Sequence, residues 1–270
     1  MSDLIYINGK RVYDELPLRS LFYGEGVFET FRYKSGLPVH FDKHMRRLEE
    51  GAGVLYMEMP DKGYIKGLID QAVRKSGLSD LYVKLCILSE GRNSFYENSQ
   101  GSQVLILSKE YQRPKDAIKA GICSFNRNSS SPIVKIKSFN YLENIIARRE
   151  AMVKGLNEAL FHNEQGNLTE GSAGNIFWYK TGTLYTPSIE CGILPGTTRE
   201  VLLEIRGKLS LEIEEGGYPL EELIGSEFAF FTNSLMGSVP ISQIDNQMIP
   251  MNNPVYTMIQ RALRAELGWI

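Results

Sequence analysis

Apolar positions along the chain recur with two different periods. Gly26–Tyr33 alternates, with Phe28, Thr30 and Arg32 on one face and Val27, Glu29 and Phe31 on the other, which is the two-residue repeat of a strand. Leu81–Leu88 and Gln103–Leu107 are further β-rich segments, separated by a polar stretch of Gly, Asn and Ser. Phe41, His44, Met45, Leu48, Ala52 and Leu55 instead recur at helical spacing, as do Tyr64, Ile65, Leu68, Ile69, Ala72 and Val73. Asp61 is placed to cap the second of these helices, and Gly77 follows its last turn. Leu4–Ile7 and Arg11–Tyr13 flank Asn8-Gly9, a hairpin signal.

The second half repeats this mixture. Ile122–Phe125 and Ile133–Ile136 read as strands around the loop Asn126–Pro132. A helix follows, with Tyr141, Leu142, Ile145, Ile146, Met152 and Val153 expected on its buried side. Two hairpins come next, one with Gly166-Asn167 near its tip and one turning at Thr181-Gly182. A helix from Thr198, a β-rich Phe228–Thr232 and a final helix near Val255–Leu267 complete the chain. Glu110–Lys119 is charged, holds Pro114 and lacks a sustained apolar face, so it reads as a connector. The expectation is α+β with two domains, 1–112 and 120–270, joined by 113–119, and a ligand cleft between them.

Composition narrows the function classes. A chain of 270 residues exceeds one typical domain. A hydrophobic share of 43% and a charged share of 23% are those of a soluble globular protein. A net charge of -2 gives no basic stripe for nucleic acid. Cys86, Cys123 and Cys191 are odd in number and set in apolar segments, so buried free thiols in a reducing cytoplasm are expected. With three histidines and no paired cysteine spacing, no metal site is expected. The N-terminus lacks the basic start and apolar run of a signal peptide, and no run of about 18 apolar residues predicts a membrane span. A cytoplasmic protein acting on a small molecule is the resulting expectation.

Three segments carry chemistry. Lys137-Ser138-Phe139-Asn140-Tyr141-Leu142 offers an amine at a strand-to-helix junction. Leu168-Thr169-Glu170-Gly171-Ser172-Ala173-Gly174-Asn175 offers a lone carboxylate among small residues. Gly192-Ile193-Leu194-Pro195-Gly196-Thr197-Thr198-Arg199 offers a hydroxyl-rich helix start. An amine, an acid and an anion cradle are what a protein needs to hold pyridoxal phosphate. The residues alone leave choices open. Lys135 would share a strand face with Lys137. Thr197-Thr198-Arg199-Glu200 also fits a capping box. Arg46 and Arg47 are adjacent on one helix, and nothing local separates them.

In this order the segments resemble the fold-type IV pyridoxal-phosphate enzymes, the class IV aminotransferase family, from about residue 3 to about residue 245. The resemblance implies a D-amino-acid-aminotransferase-like fold with pyridoxal 5'-phosphate in the interdomain cleft and a homodimer. It implies that Lys137, directly before the small-x-Asn-Tyr-Leu stretch, is the Schiff-base lysine. It sets Glu170, in Thr-Glu-Gly-x-x-x-Asn with Asn175, against the pyridine nitrogen, and Tyr141 near the phenolic oxygen. Leu194 matches an aliphatic residue packed on the ring. Arg47 matches the arginine that grips the phosphate bidentately, with Thr197, Thr198 and Ser234 as its hydroxyl partners.

The substrate-facing segments are similar to those of the 4-amino-4-deoxychorismate lyases within this family. Tyr23-Gly24-Glu25-Gly26-Val27-Phe28-Glu29-Thr30-Phe31-Arg32, Val83-Lys84 with Gly91-Arg92, and Asn233-Ser234-Leu235-Met236 with Pro240 carry the likeness. It implies release of 4-aminobenzoate and pyruvate for folate synthesis, with Thr30 relaying a proton beside Lys137. Arg32, Lys84 and Arg92 are the cations available to the substrate carboxylates, and Leu235 lines their pocket. A branched-chain or D-amino-acid aminotransferase of the same fold is the alternative.

Overall fold

The computed structural model describes residues 5–12 and 16–270, so the outer ends of the first hairpin, Leu4 and Tyr13, lie outside the described residues. Strands β1 (Ile5–Ile7) and β2 (Lys10–Val12) pair antiparallel around Asn8 and Gly9. Both turn residues have positive φ (50° and 75°), as a two-residue hairpin turn of this kind requires.

Helix α1 (Leu18–Tyr23) was not anticipated: six residues are too few for a helical period to show. Then come β3 (Gly26–Lys34), α2 (Phe41–Val54), α3 (Lys62–Ser76), β4 (Asp80–Glu90) and β5 (Gly101–Glu110). The strands form an antiparallel sheet in the order β3-β4-β5. Val27 and Phe31 of β3 and Val83, Leu85 and Ile87 of β4 bury one face against α2 and α3. Strand alternation turns Phe28 and Thr30 to the other face, toward the second half of the chain. Asp61 caps α3, accepting from Gly63 N (2.8 Å) and Tyr64 N (3.0 Å).

The second half begins with β6 (Ile118–Ile122), which starts in the last two residues of the segment expected to be a connector. The strand read at 122–125 is therefore displaced toward the N-terminus. Ile133–Ile136 is not a strand either, because Pro132–Lys135 form a 3₁₀ turn. Pro132 has no N–H to give a ladder, and Ser131 Oγ accepts from Ile133 N, so the segment turns instead. Helix α4 (Leu142–Val153), β7 (Glu158–His162), β8 (Leu168–Gly171), β9 (Asn175–Lys180) and β10 (Thr183–Pro187) follow. Next are α5 (Thr197–Glu204), α6 (Arg206–Leu209), β11 (Glu212–Gly216), α7 (Leu220–Ile224), β12 (Phe228–Asn233), β13 (Gly237–Ile244), β14 (Gln247–Met248) and α8 (Pro254–Glu266).

Among the described residues the larger sheet runs β11-β10-β9-β12-β13-β6-β7-β8, with β14 on β13. Strand β8 also pairs with β9, so six strands close into a ring. The closing pair is Glu170↔Asn175. Trp178, Ala229, Phe231 and Ile241 fill the ring's interior, while the alternate residues Phe177 and Phe230 pack outward on α5 and α8. The face of α4 expected to be buried is largely exposed: Leu142, Ile146, Met152 and Val153 stand 48–89% open. Ala147 and Ala151 face inward, their small size letting the helix lie close on Cys123 and Phe161. No described helix is long and apolar enough to cross a membrane.

Candidate active site

The outer face of β3–β4 and the rim of the ring enclose a cavity of about 500 Å³. Lys137 reaches it because its own segment is tied to β3. Phe28 N donates to Lys137 O (2.8 Å) and Phe139 N to Gly26 O (3.0 Å). Lys137 Nζ then lies 4.5 Å from the centre of the Phe28 ring and donates to Tyr141 Oη at 3.4 Å. Lys135 ends the 3₁₀ turn exposed to solvent, so the pleat that would have made the two lysines equivalent does not exist.

Glu170 enters at the pair that closes the ring. Its Oε1 accepts from Arg127 Nη1 (2.5 Å), and its Oε2 from Asn175 Nδ2 (3.1 Å) and Leu194 N (3.2 Å). Burial pushes its carboxyl up to about 6, against the lowering effect of the Arg127 guanidinium and the Leu194 amide. Arg127 is a partner that sequence reasoning missed. It stacks on Phe161 at 4.0 Å and donates to Asn144 Oδ1 at 3.0 Å. A single arginine in an Asn- and Ser-rich loop, 43 residues from its partner, gives no local signal.

Residues at the start of α5, the expected anion cradle, also line the cavity. Gly196 is its N-cap and no side chain caps it, so the capping-box alternative is not what forms. Glu200 instead accepts from Lys43 (2.8 Å) and Arg46 (2.6 Å) of α2. Thr198 Oγ1 is buried with no partner among the described residues. A Cβ on Gly196 would stand 1.9 Å from Asn175 Oδ1, so only glycine lets the chain turn there. Arg47 lines the same cavity, but its bidentate fork is not free for a phosphate. Nε and Nη2 each bind Glu29 at 2.7 Å, and Nη1 donates to Pro195 O at 2.9 Å. Burial alone would raise the Glu29 carboxyl, yet Arg47 and His44 hold it down to about 2. Ser234, also at the cavity, donates its hydroxyl to Thr30 O.

An amine, a buried acid, an uncapped helix start and an unpartnered hydroxyl around one cavity fit pyridoxal 5'-phosphate. Leu194 and Thr197 line it as well. Of the residues expected to meet substrate, Thr30, Lys84 and Leu235 are there, with Lys84 Nζ 4.0 Å above the Phe28 ring. Arg32 and Arg92 are not. Arg32 forks onto Asp80 (2.7 and 2.5 Å) and stacks on Tyr111, because Asp80 at the start of β4 draws it past the cavity's edge. Arg92 lies 68% exposed in the β4–β5 loop, facing Glu97 at 3.8 Å.

The sequence profile of the family described as Amino-transferase class IV matches residues 26–244. The aminodeoxychorismate lyase of Bacillus subtilis (strain 168) is 31% identical over 254 residues, 90% of this chain and 87% of that protein. A Legionella pneumophila structure provisionally named a 4-amino-4-deoxychorismate lyase superposes with a TM-score of 0.88 at 28% identity, covering 94% of each chain. The T.th. branched-chain amino acid aminotransferase with pyridoxamine 5'-phosphate superposes with a TM-score of 0.84 at 25% identity, covering 100% of this chain and 95% of that one. Sequence, fold and cavity thus agree: the chain belongs to the class IV aminotransferase family of pyridoxal 5'-phosphate enzymes.

Proposed function

We propose that the protein is a 4-amino-4-deoxychorismate lyase, splitting its substrate into 4-aminobenzoate and pyruvate for folate synthesis. The observation that carries this reading is the cavity wall formed by β3 and β4. Thr30 and Lys84 are direct cross-strand neighbours there, and both line the cavity that holds Lys137. The lyase from Bacillus subtilis, at 31% identity, supports it.

Pyridoxal 5'-phosphate, when bound, supplies the aldehyde that takes up the substrate amine and the ring that draws electrons from the amine-bearing carbon. Glu170, kept ionised at neutral pH with help from Arg127, is the anion that favours a protonated pyridine nitrogen. The N-terminus of α5, with Thr197, Thr198, Ser234 and the remaining donors of Arg47, takes the phosphate. Leu194 packs on the ring, and Asn175 holds Glu170 and Leu194 together through one amide (3.1 and 2.9 Å).

Lys137 Nζ removes the proton from the ring carbon that bears the amine, as general base. Tyr141 Oη, 3.4 Å away, restricts where that nitrogen can stand. As the C–O bond to the enolpyruvyl group breaks, Thr30 passes a proton toward the leaving group, which becomes pyruvate. Tyr82 lines the cavity beside Thr30. Among the cations lining the cavity, Arg47 is engaged by Glu29 and Lys137 acts as base. Lys84 is therefore the cation for a substrate carboxylate.

Pyruvate release from 4-amino-4-deoxychorismate, followed by coupled reduction, tests the assignment. Lys137→Ala should lower turnover by about 10²–10⁴-fold in a folded protein. Unchanged turnover would rule Lys137 out as the base. The second reading, a branched-chain or D-amino-acid aminotransferase, is favoured by the likeness to the T.th. branched-chain enzyme.

A homodimer belongs to the same proposal. The exposed apolar residues of α4, Leu142, Ile146, Met152 and Val153, are the kind of surface a partner subunit covers.

A further inference from the structure

We propose that Glu29 is a positioning residue for the cofactor phosphate, aiming Arg47 at the subsite; this rests on the reading of Arg47 as a phosphate ligand. Glu29 lies on the core face of β3 with no exposed surface. A carboxylate in that position must be compensated, and the groups that do so are specific. Arg47 presents Nε and Nη2 to its two oxygens at 2.7 Å each. His44, one helical turn earlier on α2, brings Nδ1 to Oε2 at 2.7 Å.

Held by this fork, the guanidinium cannot rotate. Its third nitrogen, Nη1, crosses to the other half of the molecule and donates to Pro195 O, directly before the Gly196 N-cap of α5. Arginine carries five N–H donors, and three are used in these bonds, which leaves one each on Nη1 and Nη2. Both remain on a side chain that lines the cavity with Thr197 and Thr198.

Electrostatics alone gives Glu29 the opposite role. A negative charge beside Arg47 offsets its attraction for a phosphate dianion, so removing that charge should tighten phosphate binding. Positioning predicts the reverse, because an unanchored guanidinium must be ordered each time phosphate binds. The sign of the change in affinity separates the two.

The test compares pyridoxal 5'-phosphate with pyridoxal, which shares the ring and lacks the phosphate, on the full chain freed of cofactor. Dissociation constants are measured for the unmodified protein, Glu29→Gln, Glu29→Asp and Arg47→Met. Glu29→Gln is expected to weaken pyridoxal 5'-phosphate by about 10-fold or more, as loss of a residue that orients a ligand-binding group typically does, and to leave pyridoxal unchanged. Tighter or unchanged pyridoxal 5'-phosphate binding overturns the proposal, as does an equal loss for pyridoxal. If near-ultraviolet circular dichroism shows that Glu29→Gln does not fold, Glu29→Asp decides. Its shorter carboxylate keeps the charge, and a smaller fall in the preference for the phosphorylated ligand is expected; an unchanged preference overturns the proposal. Arg47→Met must lower that preference if Arg47 meets the phosphate at all. An unaltered preference there removes the phosphate reading itself, whereas an effect at Arg47 with none at Glu29 removes only the positioning role.

Discussion

Glu29 and Glu170 are both buried carboxylates, and their surroundings move them in opposite directions. Glu29 is held near 2 and Glu170 near 6, from an ordinary value of 4.5. Between pH 2 and 4.5 the unfolded chain binds more protons at Glu29 than the folded one. That stability, about 3 kcal/mol, is present above pH 4.5 and lost as pH falls through 2. Glu170 behaves the other way: its contribution, about 2 kcal/mol, is complete below pH 4.5 and lost as pH rises through 6. Denaturant unfolding of the cofactor-free protein should therefore show Glu170→Gln without the decline between pH 4.5 and 6, and Glu29→Gln without the rise between pH 2 and 4.5. Identical pH profiles for either variant and the parent would contradict this assignment of burial at Glu170 and of the Arg47 and His44 charges at Glu29. At this scale the meeting of Lys137, Glu170 and Asn175 at one cavity was legible because contiguous motifs carry them. Arg127 was not, since its pairing depends on the curl of the ring, and Arg32 was misjudged because Asp80 is distant in sequence.

Helices and strands that repeat a period long enough to count were readable: α2, α3 and α8 by their apolar stripes, β3 and β4 by alternation or β-rich composition. Short elements were not. Four residues after Pro132 look alike as strand or turn, and only the missing N–H decides. Caps are a sharper signal, and Asp61→Ala should cost about 1 kcal/mol by removing two acceptor contacts from the start of α3, measurable as a fall in denaturation midpoint. The start of α5 matters more for function. Gly196→Ala drives a Cβ into Asn175 Oδ1, displacing the amide that joins Glu170 to Leu194. We expect cofactor affinity to fall by about 10-fold or more, read by equilibrium dialysis. Retained affinity would mean that the turn relaxes without disturbing Asn175. Lys43 and Arg46 reach from α2 to Glu200 on α5, so the two halves meet at the start of α5 through charges as well as through Arg47.

At the scale of the whole molecule, the cavity exists because two faces meet: the face of an antiparallel sheet turned away from α2 and α3, and the rim where a ring of strands closes. Sequence periodicity indicated two halves and a cleft, but the ring itself is a long-range pairing that no local pattern encodes. The same limit explains α4, whose apolar stripe was legible while the side it turns away from this chain was not. Ile146→Glu on that face should convert a dimer to monomers in sedimentation equilibrium; a monomeric parent protein would remove the dimer proposal. The choice between lyase and aminotransferase turns on what the shared cavity does with its substrate. The most direct measurement incubates holoenzyme with 4-amino-4-deoxychorismate, then with single amino acids, recording the cofactor spectrum alongside 4-aminobenzoate and pyruvate. A lyase should give equal amounts of the two products over many turnovers, with the cofactor spectrum restored and little change from amino acids alone. Conversion of the cofactor to its pyridoxamine form by an amino acid, with no 4-aminobenzoate released, would contradict that assignment.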